Sequence, residues 1–146
     1  MASPRIFDGG CTIDDRGSLS FLNIIPFEKV KRSYIIENFS TDTVRAFHGH
    51  KIEEKFIIVI SGSALVIIAK MTADTKELED PQRYTLSARK LQLLHIPCWY
   101  VNGFRSLELN TKLQFFSTTA IEQAKEDDFR FPYDYFGKNV WEVEFR

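Results

Sequence analysis

Apolar residues in this chain fall in short runs rather than in helical stripes. Two runs, Phe56-Ile57-Ile58-Val59-Ile60 and Ala64-Leu65-Val66-Ile67-Ile68, are rich in β-branched residues. They flank Ser61-Gly62-Ser63, where glycine supplies a positive φ, and this predicts a hairpin. Both arms are apolar at every position, which predicts strands in a sheet covered on each face. Shorter β-prone runs follow the same logic at Lys31–Ile36, Val44–His50, Arg83–Leu86, Lys90–Ile96 and Lys112–Ser117. Polar segments separate them, the longest from Met71 to Gln82. Many short strands at this spacing predict an all-β sandwich or barrel. Only Ala120–Asp128 has helical composition, which predicts one short C-terminal helix. The tail that follows, Phe129 to Phe136, is too aromatic for a solvated end and is expected to cover the barrel or a partner subunit.

Composition narrows the class. With 146 residues, 44% hydrophobic and 27% charged, the chain is expected to fold as a single domain over 1–146 and not to be disordered. A net charge of −1 gives no basic excess for bulk nucleic-acid binding. The longest apolar runs are far short of the roughly 20 residues that cross a bilayer. The opening MASPRIFDGG lacks the apolar run of a signal peptide. Cys11 and Cys98 form no CxxC spacing and support neither a disulfide framework nor a thiolate zinc site. Together these point to a cytoplasmic protein with no membrane or nucleic-acid partner.

Candidate chemistry concentrates in Arg45-Ala46-Phe47-His48-Gly49-His50-Lys51. Residues two apart in a strand share a face, so His48 and His50 are expected to point together, with Arg45 at the strand's entry. Buried imidazoles must satisfy a donor and an acceptor each, so a pair on one face is either hydrogen-bonded structure or a working site. Extended, the segment reads His48-Gly-His50-Lys-Ile-Glu-Glu54, a His-x-His-x3-Glu spacing.

That spacing resembles the first motif of the cupin superfamily, which implies a small antiparallel β-barrel of jelly-roll type. In the second cupin motif the matching stretch is Pro97-Cys98-Trp99-Tyr100-Val101-Asn102, with Asn102 where a fourth metal ligand, a His, is usual. An amide oxygen is a weak transition-metal ligand, which argues against a metal. A narrower resemblance covers about residues 8–120. Asp15-Arg16-Gly17-Ser18-Leu19, Val30 to Ile36 and Arg45 to Lys51 look like successive blocks of the sugar-nucleotide cupins. These are the dTDP-4-keto-6-deoxyhexose 3,4-ketoisomerases and the related dTDP-4-dehydrorhamnose 3,5-epimerases. The resemblance implies isomerisation by cofactor-free and metal-free proton transfer beside a ketone. It implies His48 as base with His50 working beside it. It also implies Arg45 at the nucleotide phosphates, with Arg16 and Arg32 as further candidates, and Lys55 at the enolate charge. Asn102 and Tyr100 would border the substrate. The family implies a homodimer that exchanges an N-terminal strand.

Two departures keep other classes open. Asn102 cannot act as acid or base, and Leu113-Gln114-Phe115 has phenylalanine where the epimerases place an acid tyrosine. A sugar- or nucleotide-binding cupin without catalysis is one alternative. A metal-dependent cupin using His48, His50 and Glu54 is the other.

Overall fold

The computed structural model describes residues 2–146. Among the described residues there are twelve strands: β1 (Arg5–Asp8), β2 (Gly10–Asp14), β3 (Gly17–Phe21), β4 (Arg32–Glu37), β5 (Val44–Gly49), β6 (Lys55–Ser61), β7 (Ser63–Lys70), β8 (Gln82–Ser87), β9 (Gln92–Ile96), β10 (Tyr100–Ser106), β11 (Lys112–Ser117) and β12 (Phe129–Arg130). One helix, α1 (Ile121–Glu126), precedes β12, and a 3-10 turn (Lys138–Trp141) lies near the C-terminus. Two five-stranded antiparallel sheets, ordered β1-β9-β6-β11-β4 and β12-β5-β10-β7-β8, face each other as a jelly-roll sandwich. β2 and β3 pair only with each other, as a separate two-stranded arm.

The expected β6–β7 hairpin is corrected by this topology. β6 and β7 belong to opposite sheets, and Ser61-Gly62-Ser63 is the corner where the chain crosses between them. The signal is locally the same, because the corner still needs positive φ: Gly62 sits at +75°. A Cβ there would also lie 2.2 Å from Thr111 Oγ1 and 2.8 Å from Thr111 Cα, so the corner also needs the absent side chain.

The expectation of strands covered on both faces holds. Ile57, Val59, Val66, Ile68, Leu113 and Phe115 fill the space between the sheets. Outside the second sheet, Phe47, Leu65, Ile67 and Val101 are covered by the aromatic tail, through Phe129, Phe131, Phe136 and Trp141. Phe136 meets Phe47 edge-on, with centroids 5.7 Å apart. The tail therefore covers the sandwich of its own chain. Outside the first sheet, Phe56, Ile58 and Phe116 are covered by Phe7, Leu22, Ile25 and Val30. The arm differs: Ile13 is 80% and Leu19 61% exposed, large apolar side chains with nothing over them.

Candidate active site

The site begins with an irregular pairing. On β5 and β10, His48 lies opposite Asn102 and Arg45 opposite Phe104. Between those pairs β5 carries Ala46 and Phe47 but β10 only Gly103, so β5 has one extra residue, a bulge. The bulge changes which residues share a face. Arg45 and His48, three apart and on opposite faces of a regular strand, line the same cavity of about 450 Å³, while Phe47 is buried against the tail. Gly103 permits the crowding, since a Cβ there would lie 2.3 Å from Ala46 Cβ.

That cavity opens between the sheets and is lined also by Tyr34, Lys55, Asn102, Phe104 and Phe115. Arg130 closes its rim. A second opening of about 240 Å³ shares Tyr34, His48, Lys55 and Arg130 with it and adds Arg32, His50 and Asp128. Both histidines of the tripeptide thus border one opening, as their spacing predicts.

Beneath lies Glu53, whose side chain has no solvent exposure. Arg32 Nη2 reaches its Oε1 at 2.6 Å and Thr119 Oγ1 donates to it at 2.7 Å; the Ser117 hydroxyl donates to the same oxygen. His50 Nε2 lies 2.9 Å and Lys55 Nζ 3.8 Å from Oε2. Burial alone would raise the Glu53 pKa, but His50, Ser117, Thr119 and the Lys55 charge together hold it well below the carboxylate range. Lys55 is buried, and Nζ donates to Asn102 Oδ1 at 3.3 Å. Burial lowers its pKa, and the charge of Glu53 opposes that.

Tyr34 stacks on Phe115 and carries the Arg32 guanidinium 5.2 Å from its ring centroid. Its phenol is pushed up to about 12, first by burial and then by Glu53. His48 moves the other way. Desolvation against the cavity wall lowers its pKa, and the nearby charges of Arg130 and Lys55 add to this. An imidazole so placed is neutral at neutral pH and free to accept a proton.

His50 Nδ1 contacts the Asp127 carbonyl, and its Nε2 lies 2.9 Å from Glu53 Oε2. Asp127 also receives the backbone N–H groups of Lys51 and Ile52 at 2.9 and 2.8 Å, which fastens the C-terminal segment to the end of β5. Arg45 Nε donates to Asn38 Oδ1 at 2.7 Å.

Three candidates from the sequence, Arg16, Tyr100 and Glu54, fall elsewhere. Arg16 sits at the turn of the β2–β3 arm, paired with Asp14 at 2.5 Å, and lines neither opening. Tyr100 is packed in the core between the sheets. The set His48, His50, Glu54 does not assemble, because Glu54 turns away and contacts His95 Nε2 at 2.8 Å, whose ring stacks on Phe56. Among the described residues no group of three or more His, Cys, Asp or Glu is gathered as metal ligands. Arg32 comes to the site from below, through Glu53, rather than to the open rim.

Three residues of the site carried weak sequence signals. Tyr34 lies in the Val30–Ile36 block, two residues from the candidate Arg32. Arg130 alternates with Phe129 and Phe131, and period-two alternation sends it to the cavity while both rings pack outward. Glu53, between Ile52 and Glu54, had no local signal of burial.

Residues 5–140 match the family model described as FdtA (WxcM-like, C-terminal). The chain belongs to this family. Over 106 residues, 70% of each chain, this FdtA-family protein is 28% identical to the spore coat polysaccharide biosynthesis protein SpsL of Bacillus subtilis (strain 168). The dTDP-4-dehydrorhamnose 3,5-epimerase of Bacillus anthracis, solved with TDP and pyrophosphate, superposes with a TM-score of 0.81 at 20% identity, covering 97% of this chain and 86% of that one. The WlaRB TDP-quinovose 3,4-ketoisomerase of Campylobacter jejuni superposes with a TM-score of 0.68 at 25% identity, covering 93% and 98%. The jelly-roll fold expected from the motifs is thus shared with both kinds of enzyme. No helix among the described residues is long and apolar enough to cross a membrane.

Proposed function

We propose that this FdtA-family protein is a sugar-nucleotide isomerase that moves the ketone of a dTDP-4-keto-6-deoxyhexose from C4 to C3. The observation that carries the reading is the convergence of His48, Lys55 and Tyr34 on one cavity. Each has a distinct electrostatic setting. His48, kept neutral, removes the proton from C3. The electron pair moves onto the C4 carbonyl oxygen, and the Lys55 ammonium meets the charge that develops there. Protonation of that oxygen gives an enediol. Loss of the O3 proton and protonation at C4 then complete the shift, with no net gain or loss of protons.

Tyr34 supplies and recovers the proton on this path. Its high pKa keeps the phenol protonated, and its ring lies on Phe115, the position at which the epimerases carry an acid tyrosine. The acid thus reaches the cavity from β4 instead of β11. A single base on one wall suits a 3,4-shift better than inversion at both C3 and C5. Arg45 and Arg130 at the rim suit a diphosphate. The uncovered apolar arm suits exchange with a second copy of the chain, which makes the working form a homodimer.

The test is to incubate the protein with dTDP-4-keto-6-deoxyglucose and follow the sugar by NMR. A 3-keto product supports the reading. Binding without any change in the sugar would overturn it in favour of a non-catalytic sugar-nucleotide-binding protein.

A further inference from the structure

Adjacent glutamates in this chain have opposite fates. The sequence motif singles out Glu54, which lies part-exposed at the barrel's outer side against His95. Glu53, one residue earlier, turns inward and has no exposure at all. It receives hydroxyls from Ser117 and Thr119 and the guanidinium of Arg32, all on Oε1. Oε2 is thereby left for two side chains that line the second opening, His50 at 2.9 Å and Lys55 at 3.8 Å.

A buried carboxylate with this division of labour has a specific consequence. Oε1 is anchored by Ser117 and Thr119, at the end of β11 and just beyond it, and by Arg32 of β4. Oε2 is thereby placed beside His50 Nε2 and Lys55 Nζ. Lys55 has two partners, Glu53 below and Asn102 beside it, and Asn102 is uncharged. The other charges that act on Lys55 are those of Arg32 and Asp128. Glu53 is thus the main group that keeps an ammonium stable in a buried position and aimed into the cavity.

We propose that Glu53, and not Glu54, is the positioning carboxylate of the active site, holding Lys55 and His50 in the geometry that proton transfer needs. This rests on the isomerase reading above. Glu53 does not touch substrate; it acts through Lys55 and His50.

The test compares Glu53→Gln with Glu54→Gln in the full chain, with Glu53→Asp as the conservative partner. Three readouts are taken: side-chain ¹⁵N spectra of the histidines, binding of dTDP, and steady-state turnover of dTDP-4-keto-6-deoxyglucose. Glu53→Gln retains acceptor and shape at Oε1 but removes the charge. It should displace the His50 ring signals, lower kcat by about 10- to 100-fold and leave dTDP affinity and KM within about threefold. Glu53→Asp should recover part of that loss. Glu54→Gln should displace only the His95 signals and leave kcat unchanged. Unmoved His50 signals in Glu53→Gln, or a kcat within twofold of the parent, would overturn the proposal. Equal loss of kcat in the two glutamine variants would overturn it as well. If the parent protein turns over no sugar nucleotide, the isomerase reading fails. The histidine spectra then still decide whether Glu53 holds His50.

Discussion

Tyr34 lies flat against Phe115, with ring centroids 4.9 Å apart and planes 6° from parallel. The two rings come from neighbouring strands, on which Tyr34 and Phe115 are register partners. Phe115 thus forms the wall that sets the height of the Tyr34 phenol, and the hydroxyl is the only polar atom of the pair. Tyr34→Phe should keep the stack and the fold but remove the acid. Turnover is expected to fall by about 10²-fold or more with an unchanged thermal midpoint, as read by a steady-state assay beside a melting curve. Full activity in Tyr34→Phe would remove the tyrosine from the mechanism.

His48 is the group whose titration should set the acid side of the rate profile. Its pKa is lowered from 6.5, and the base must be neutral to work. The rate should therefore persist as pH falls through 6.5 and decline only below it. Arg130 is the largest charge acting on it, and Arg130 is also paired with Asp128 at 2.9 Å. Arg130→Ala removes a repelling cation and frees a carboxylate, both of which raise the His48 pKa. The acid limb of kcat/KM should shift to higher pH in that variant, a displacement measurable in a pH–rate series.

Glu53 links the site to acid stability. Its folded pKa lies below its ordinary value of 4.5. The stabilisation it contributes is therefore complete above about pH 4.5 and is lost as pH falls toward the folded value. Glu53→Gln has no such titration. Its unfolding free energy should depend less on pH below 4.5 than that of the parent, as read by denaturant melts between pH 3 and 5.

The aromatic tail is structural and site-forming at once. Trp141 is 3% exposed, its ring lies 5.5 Å from Phe47, and Nε1 donates to the Tyr133 carbonyl at 2.8 Å. Trp141→Ala should cost about 3–5 kcal/mol by cavity formation. It should also loosen β12, which carries Arg130 to the rim, so KM is expected to rise with the loss of stability.

The β2–β3 arm offers the test of assembly. Placing a charge on its uncovered face, as in Leu19→Asp, should convert a dimer to a monomer in light-scattering chromatography. A parent that is already monomeric at micromolar concentration would contradict subunit exchange.

The parts of this molecule that were legible in the sequence are those where local pattern and burial agree. β6 and β7 are apolar at nearly every position because each lies under a covered face, and the pattern says so. His48 was legible because its spacing from His50 matches a strand period. The arm was not, since Gly10–Asp14 and Gly17–Phe21 alternate polar residues with apolar ones that have no cover in this chain. The corner at Gly62 was misread because a sheet-to-sheet turn and a hairpin demand the same backbone freedom. Glu53 was hidden because the partners of its Oε1, Arg32, Ser117 and Thr119, lie 21, 64 and 66 positions away. The face of Arg45 was hidden by a single extra residue on β5, which no periodicity announces.

Deuterium exchange at C3 of dTDP-4-keto-6-deoxyglucose in heavy water tests the central claim most directly, comparing the parent protein with His48→Ala. Incorporation at C3 is expected with the parent, with a loss of about 10²–10⁴-fold in His48→Ala and dTDP still bound. No incorporation with the parent across a panel of 4-keto sugar nucleotides, or an undiminished rate in His48→Ala, would contradict it.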